Sequence, residues 1–180
     1  MKILRLFLLL LIPALLLKGC KKDDKPVYSG SMTIDNVLLG SGPYYGYGFS
    51  VPTGKKVSTL ENPQDVIIIQ ADPDINNNVR KLFFACNNYL SAFFLYGEYD
   101  DDAGATAAFD NLLSFSGPQW AEIGDSVKAN QVWLFRTSAD TFAKIRVIST
   151  VAEKRESIPY AECTFEWVYQ PDGTQTFQGK

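Results

Sequence analysis

The segment 160–169 (YAECTFEWVY) constrains the fold of this chain most. Phe165, Trp167 and Tyr169 fall on one face, and Thr164, Glu166 and Val168 on the other. A period of two places successive side chains on opposite sides of a strand, so this segment reads as β with its aromatic face against a core. Gln170-Pro171-Asp172-Gly173 follows. Proline presets φ and glycine supplies a positive φ, so the chain is expected to turn back there into a short strand over 174–177. Further short runs share this β character: 31–37 (SMTIDNV), 44–51 (YYGYGFSV), 79–86, 92–96, 131–137 (QVWLFRT) and 142–148 (FAKIRVI). The run 65–70 (DVIIIQ) lies between Pro63 and Pro73, as a buried strand does.

One segment has helical spacing. Phe109, Leu112 and Leu113 recur at intervals of three to four within 105–115. Asp102 or a neighbouring aspartate in 100–102 is placed to cap the N-terminus, and Gly117-Pro118 to stop the helix. No repeat or internal linker is visible, and 180 residues suit one domain. The expected fold is mainly β (α+β): a single antiparallel β-rich domain with one short helix, over 28–180.

The N-terminus reads as an address. Lys2 and Arg5 precede an apolar stretch over 6–17, broken only by Pro13. A membrane-spanning helix needs about 20 apolar residues, so this stretch fits a secretory signal. It ends in Leu17-Lys18-Gly19-Cys20, which resembles a bacterial lipobox despite the unusual lysine. The reading is a signal peptide over 1–19, a lipidated Cys20 and a tether over 20–27. Two or more acyl chains hold a protein stably at a membrane, where one chain is marginal. Lys22-Asp23-Asp24 resembles the signal that sends some Gram-negative lipoproteins to the outer face of the outer membrane, with the periplasmic leaflet as the alternative. Cleavage would remove three of the 17 basic side chains and none of the 20 acidic ones, leaving a formal charge of −6. Anionic lipid repels such a domain, so the acyl chains are its expected membrane contact.

Histidine is absent, and with it the commonest general base and metal ligand. The sequence has no phosphate-cradling glycine loop, no nucleophile elbow and no recognisable acid/base pair of carboxylates. The isoelectric point near 5.0 argues against a nucleic-acid partner. No catalysis, cofactor or metal is therefore expected.

A few groups of residues stand out. Cys86 and Cys163 lie in apolar runs, outside the cytoplasm by the reading above, so they form either a disulfide or two buried thiols. Asp72-Pro73-Asp74-Ile75-Asn76-Asn77-Asn78 starts like a calcium loop. It then has Asn77 where such loops want glycine and Phe83 where they want glutamate, so an ordinary turn is expected. Tyr44, Tyr45, Tyr47 and Phe49 lie among glycines. They either enter the core or present rings on which a sugar or planar ligand stacks.

Several stretches resemble HmuY-like outer-membrane lipoproteins. These are Tyr47-Gly48-Phe49-Ser50-Val51-Pro52-Thr53-Gly54-Lys55-Lys56-Val57 with Asp65-Val66-Ile67-Ile68, Val132-Trp133-Leu134-Phe135-Arg136-Thr137 with Phe142-Ala143-Lys144-Ile145-Arg146-Val147, and Phe165 to Gly173. The resemblance implies a β-rich, lipid-anchored surface domain. That family captures haem through axial histidine or methionine. Here Met32 is the one methionine beyond the signal, so the resemblance carries fold and address but no iron ligand. The expected function is non-catalytic binding or an accessory role. The alternatives are a carbohydrate-binding lipoprotein of a glycan uptake system, or a haem or porphyrin carrier without the usual axial pair.

Overall fold

The computed structural model describes residues 28–39, 46–60, 64–87 and 91–177. Among them are ten strands and one helix. The strands are β1 (Ser29–Asp35), β2 (Tyr47–Ser50), β3 (Lys55–Ser58), β4 (Val66–Pro73), β5 (Val79–Cys86), β6 (Phe93–Glu98), β7 (Gly124–Asp125), β8 (Gln131–Arg136), β9 (Phe142–Arg155) and β10 (Ile158–Gln170). The helix α1 is Asp102–Asn111. Two five-stranded antiparallel sheets form, in the orders β1-β10-β9-β8-β6 and β3-β2-β4-β5-β7. This is the mainly-β domain with one short helix that the sequence pattern implies.

The two sheets pack face to face. From the first come Trp133, Phe135, Ile145, Phe165 and Trp167, and from the second Phe49, Ile67, Ile69 and Phe84, all within one core. Burying such a side chain is worth on the order of 1.5–3 kcal/mol. The aromatic face expected for the last long strand is this inner face. Phe165 is edge-on to both Phe49 and Phe84, with ring centroids at 5.4 and 6.2 Å.

A second, smaller core lies on the outer side of the first sheet. Val132, Leu134 and Phe142 project there and are covered by Phe109 of α1, by Leu112 just after it and by Phe177. This explains why β8 shows no alternation: helix and second sheet bury both of its faces.

α1 begins as expected. Asp101 has extended backbone (φ −144°), and its carboxylate accepts from Gly104 N at 2.7 Å. The helix ends at Asn111, short of the expected 115. The chain beyond it is drawn against the C-terminus: Phe177 N donates to Leu113 O at 2.8 Å, and Phe115 N to Gln175 O at 3.2 Å. The expected terminal strand is reduced to this contact, with one bridge between Ser114 and Thr176. Leu113, expected on the buried face, is 49% exposed for the same reason.

β9 and β10 run as a long hairpin past the first sheet. Glu156 and Ser157 close it at φ of 47° and 73°, the two positive values that a two-residue type I′ turn requires. Its tip is tied to the β4–β5 turn: Lys154 Nζ donates to Asn76 O at 2.8 Å, and Asn77 Nδ2 to Ser157 O at 3.1 Å.

Candidate functional site

A cavity of about 300 Å³ opens where β1 ends, beside β2, β4 and the end of β5. It adjoins a more open groove of about 970 Å³ that runs to the β9–β10 turn. Asn36, Leu38 and Gln70 line both. The cavity lies at the lower end of the size range of small-molecule pockets.

Asn36 builds the junction. Its backbone N–H donates to Ala161 O at 3.0 Å and its Nδ2 to Pro159 O at 3.0 Å, while its Oδ1 accepts from Ala161 N at 2.9 Å. These bonds hold the end of β1 to β10. Val37 and Leu38 then leave the sheet about half-exposed, at 52% and 49%.

The second wall comes from β2 and β4. Gly48 is required there. A Cβ on it would meet Ile67 O at 2.7 Å and Ile68 Cγ2 at 2.8 Å, and would overlap Val66 Cγ1. The side chains of Val66 and Ile68 thus lean over a bare backbone, and both line the cavity. Thr59 closes the neighbouring loop through Gly46, donating from its N–H at 3.0 Å and from Oγ1 at 3.2 Å to Gly46 O.

Two polar features define the site's chemistry. The first is Asn87, directly after β5: its Oδ1 is buried in the cavity lining without a hydrogen-bond partner. A buried amide oxygen left unbonded costs about 1–3 kcal/mol, so it is a standing acceptor for an incoming donor. The second is Asp35, the one ionisable acid or base among the described residues of the cavity lining apart from Tyr47 and Cys86. Its carboxylate is already satisfied, by Lys56 Nζ at 3.0 Å and by Val37 N at 3.0 Å.

Two tyrosines stand along the site. Tyr47 lines the cavity, 39% exposed, with Lys56 Nζ 5.8 Å from its ring centre. Tyr160 lines the groove beneath the Arg155 guanidinium, which is 3.2 Å from its ring centre. Arg155 also bonds Glu153, and this raises its pKa. Burial, followed by donation to the Glu162 carboxylate, pushes the Tyr160 phenol up. No family model, curated protein or solved structure matches the chain.

The residues singled out from sequence are dispersed. Cys20, Lys22, Asp23, Asp24, Tyr44 and Tyr45 lie outside the described residues. Tyr47 is at the cavity. Phe49 is not: it is fully buried in the main core, 4.9 Å from Trp167 by ring centroids, and offers no face to a ligand. Cys163 is buried in the main core, while Cys86 is partly exposed and lines the cavity. The two thiols are not bonded to each other. They sit on opposing sheets, and packed sheets stand about 10 Å apart, beyond the usual Cα separation of ~4.4–6.8 Å in a disulfide.

The calcium-like segment is the β4–β5 turn. Asp74 Oδ1 accepts from Asn76 N and Asn78 N, each at 2.8 Å, and Asn77 takes φ +62°. Asp72 is bonded to Arg80 at 3.0 Å. No cluster of three metal-ligating side chains occurs among the described residues.

Asn36, Gln70, Asn87 and Tyr160 were not visible as site residues. Asn87 follows an apolar strand like any turn asparagine, and nothing in its sequence neighbours marks an unbonded oxygen.

Proposed function

We propose that this protein is a lipid-anchored, non-catalytic binding protein displayed on the outer cell surface, with its ligand site in the cavity and groove beside Asn36. The observation that carries this reading is the cavity itself: apolar walls from Leu38, Leu60, Val66 and Ile68 around one buried, unpartnered amide oxygen. Apolar lining with a few placed polar groups is how small-ligand sites are built.

Carboxylate chemistry finds little support, because several of the acids have structural partners. Asp102 and Glu166 bond Arg146, Asp65 bonds Ser138, Asp35 bonds Lys56, and Asp101 caps α1. Ligation of iron by methionine finds none either. Met32 packs against the main core and is absent from the cavity lining.

A surface address leaves the cavity reachable, because it lies apart from the end of the domain that the tether joins. The tether would enter at Tyr28, whose carbonyl accepts from Tyr169 N at 2.7 Å near the end of β10. The cavity lies at the other end of the seven-residue β1, roughly 20 Å away at the usual rise per residue. The lipobox, the Lys22-Asp23-Asp24 signal and the likeness to HmuY-like lipoproteins all favour that address.

Cell fractionation tests the anchor. Cys20→Ala should leave the protein unprocessed or release it from the membrane fraction, and unchanged acylation and cleavage would refute it. Asp23→Ala with Asp24→Ala should make the lipidated protein resistant to protease added to intact cells. Unchanged surface digestion would refute the export signal.

A further inference from the structure

We propose that the cavity takes the uncharged end of a saccharide chain, with Asn87 Oδ1 accepting from a sugar hydroxyl and the following units lying along the groove toward Tyr160. This rests on the reading of the cavity as a ligand site and names the class of ligand.

The shape comes first. The cavity is the more enclosed space, and the groove that continues from it is the more open one. Such a pair suits an extended molecule that buries one terminus and leaves the rest near solvent. At about 30 Å³ per water, 300 Å³ is space for on the order of ten waters, the scale of one sugar ring.

Charge decides between chain types. A peptide terminus carries an ammonium or a carboxylate, and burying either without a counter-ion is costly. Asp35 is already neutralised by Lys56, and in the groove Arg155 is held by Glu153 and the Tyr160 ring. Glu156 stands exposed at the hairpin turn, outside the cavity. Among the described residues, the cavity lining therefore favours a neutral end. An acyl chain has a neutral end but no donor, so it would seal Asn87 Oδ1 away from water still unbonded. A sugar terminus is neutral, carries hydroxyl donors and has an apolar C–H face for Tyr47. The Gln70 amide lines both spaces and can serve the next unit.

Full-length protein in detergent should be titrated calorimetrically with a panel of neutral oligosaccharides, a uronate oligosaccharide, short peptides and a fatty acid. Cys86 labelling by a thiol reagent, read by peptide mass, reports occupancy of the cavity. At least one neutral oligosaccharide should bind and slow Cys86 labelling. Asn87→Ala and Tyr47→Ala should each weaken it about tenfold, and Tyr96→Ala, outside the cavity and groove, should not change it. Saturation by a peptide, fatty acid or uronate that protects Cys86, with no neutral glycan doing so, would overturn the saccharide assignment while leaving the cavity as a ligand site. Glycan binding that leaves Cys86 labelling and the Tyr47→Ala affinity unchanged would overturn the cavity itself. No binding by any neutral glycan at millimolar concentration would also overturn the proposal.

Discussion

Lys144 Nζ, buried on the outer face of β9, donates to the carbonyl oxygen of Phe109 at 2.6 Å. It also donates to Leu112 O at 3.1 Å and lies 4.7 Å from the Phe109 ring centre. These are carbonyls at the C-terminal end of α1, where the backbone has no intrahelical donors left and the helix dipole favours a cation. Two residues along the same strand, Arg146 bonds Asp102 in the first turn of α1, and Glu166 of β10. One strand thus holds both ends of the helix.

Replacing Lys144 with methionine keeps the apolar stem and removes the donors. We expect a loss of about 2 kcal/mol, because two carbonyls at the end of α1 lose their charged donor. Denaturant unfolding of the full chain checks this, and an unchanged midpoint would count against the role given to Lys144.

Gly48→Ala places a methyl against the β4 backbone and the side chains of Val66 and Ile68. A cost of about 1–3 kcal/mol is expected, with the cavity wall displaced. Thermal unfolding measures the first effect, and the Cys86 labelling rate the second.

The two described thiols should behave differently. Burial pushes the Cys163 thiol well above its ordinary value, so it should resist alkylation in the native protein at neutral pH. Cys86 is partly exposed and should react first. Peptide mass mapping after brief labelling reads both. A Cys86–Cys163 disulfide in the mature protein would contradict the structure.

Acid should loosen the β4–β5 turn. The Asn78 side-chain amide, then its backbone N–H, hold the Asp74 carboxyl below its ordinary 3.8. A lowered folded pKa adds stability that is complete above 3.8 and is lost as pH falls through the folded value. The Asp74 contribution should therefore be flat from pH 7 to about pH 5 and decline only in stronger acid. Asp74→Asn should remove this acid-dependent part of the unfolding curve, as measured by circular dichroism against pH.

The sequence revealed most where one face of a strand is buried and the other is not. Phe165, Trp167 and Tyr169 could be assigned to one face because Thr164, Glu166 and Val168 separate them. β8 was recognisable as a strand but not as a two-sided one, since its outer cover comes from Phe109 and Phe177, distant in sequence. β3 (KKVS) and β7 (GD) are too short and polar to carry a signal, and exist through pairing with β2 and β5. Of the ring-bearing candidates, Tyr47 reached the cavity while Phe49, two residues on, entered the core. Both alternate to the same side of β2, yet only Phe49 is covered by the opposing sheet. Asn87 acquires meaning from the space around it, which no local pattern encodes.

The most direct test of the account is where a bound glycan touches the protein. Chemical-shift mapping of the full-length protein, saturated with the best-binding neutral oligosaccharide, supplies it. We predict that the side-chain amides of Asn87 and Gln70 and the methyls of Leu38 and Ile68 move, while the Leu112 methyls beneath α1 stay in place. Shifts confined to other surfaces, or none at saturation, would contradict the cavity as the binding site.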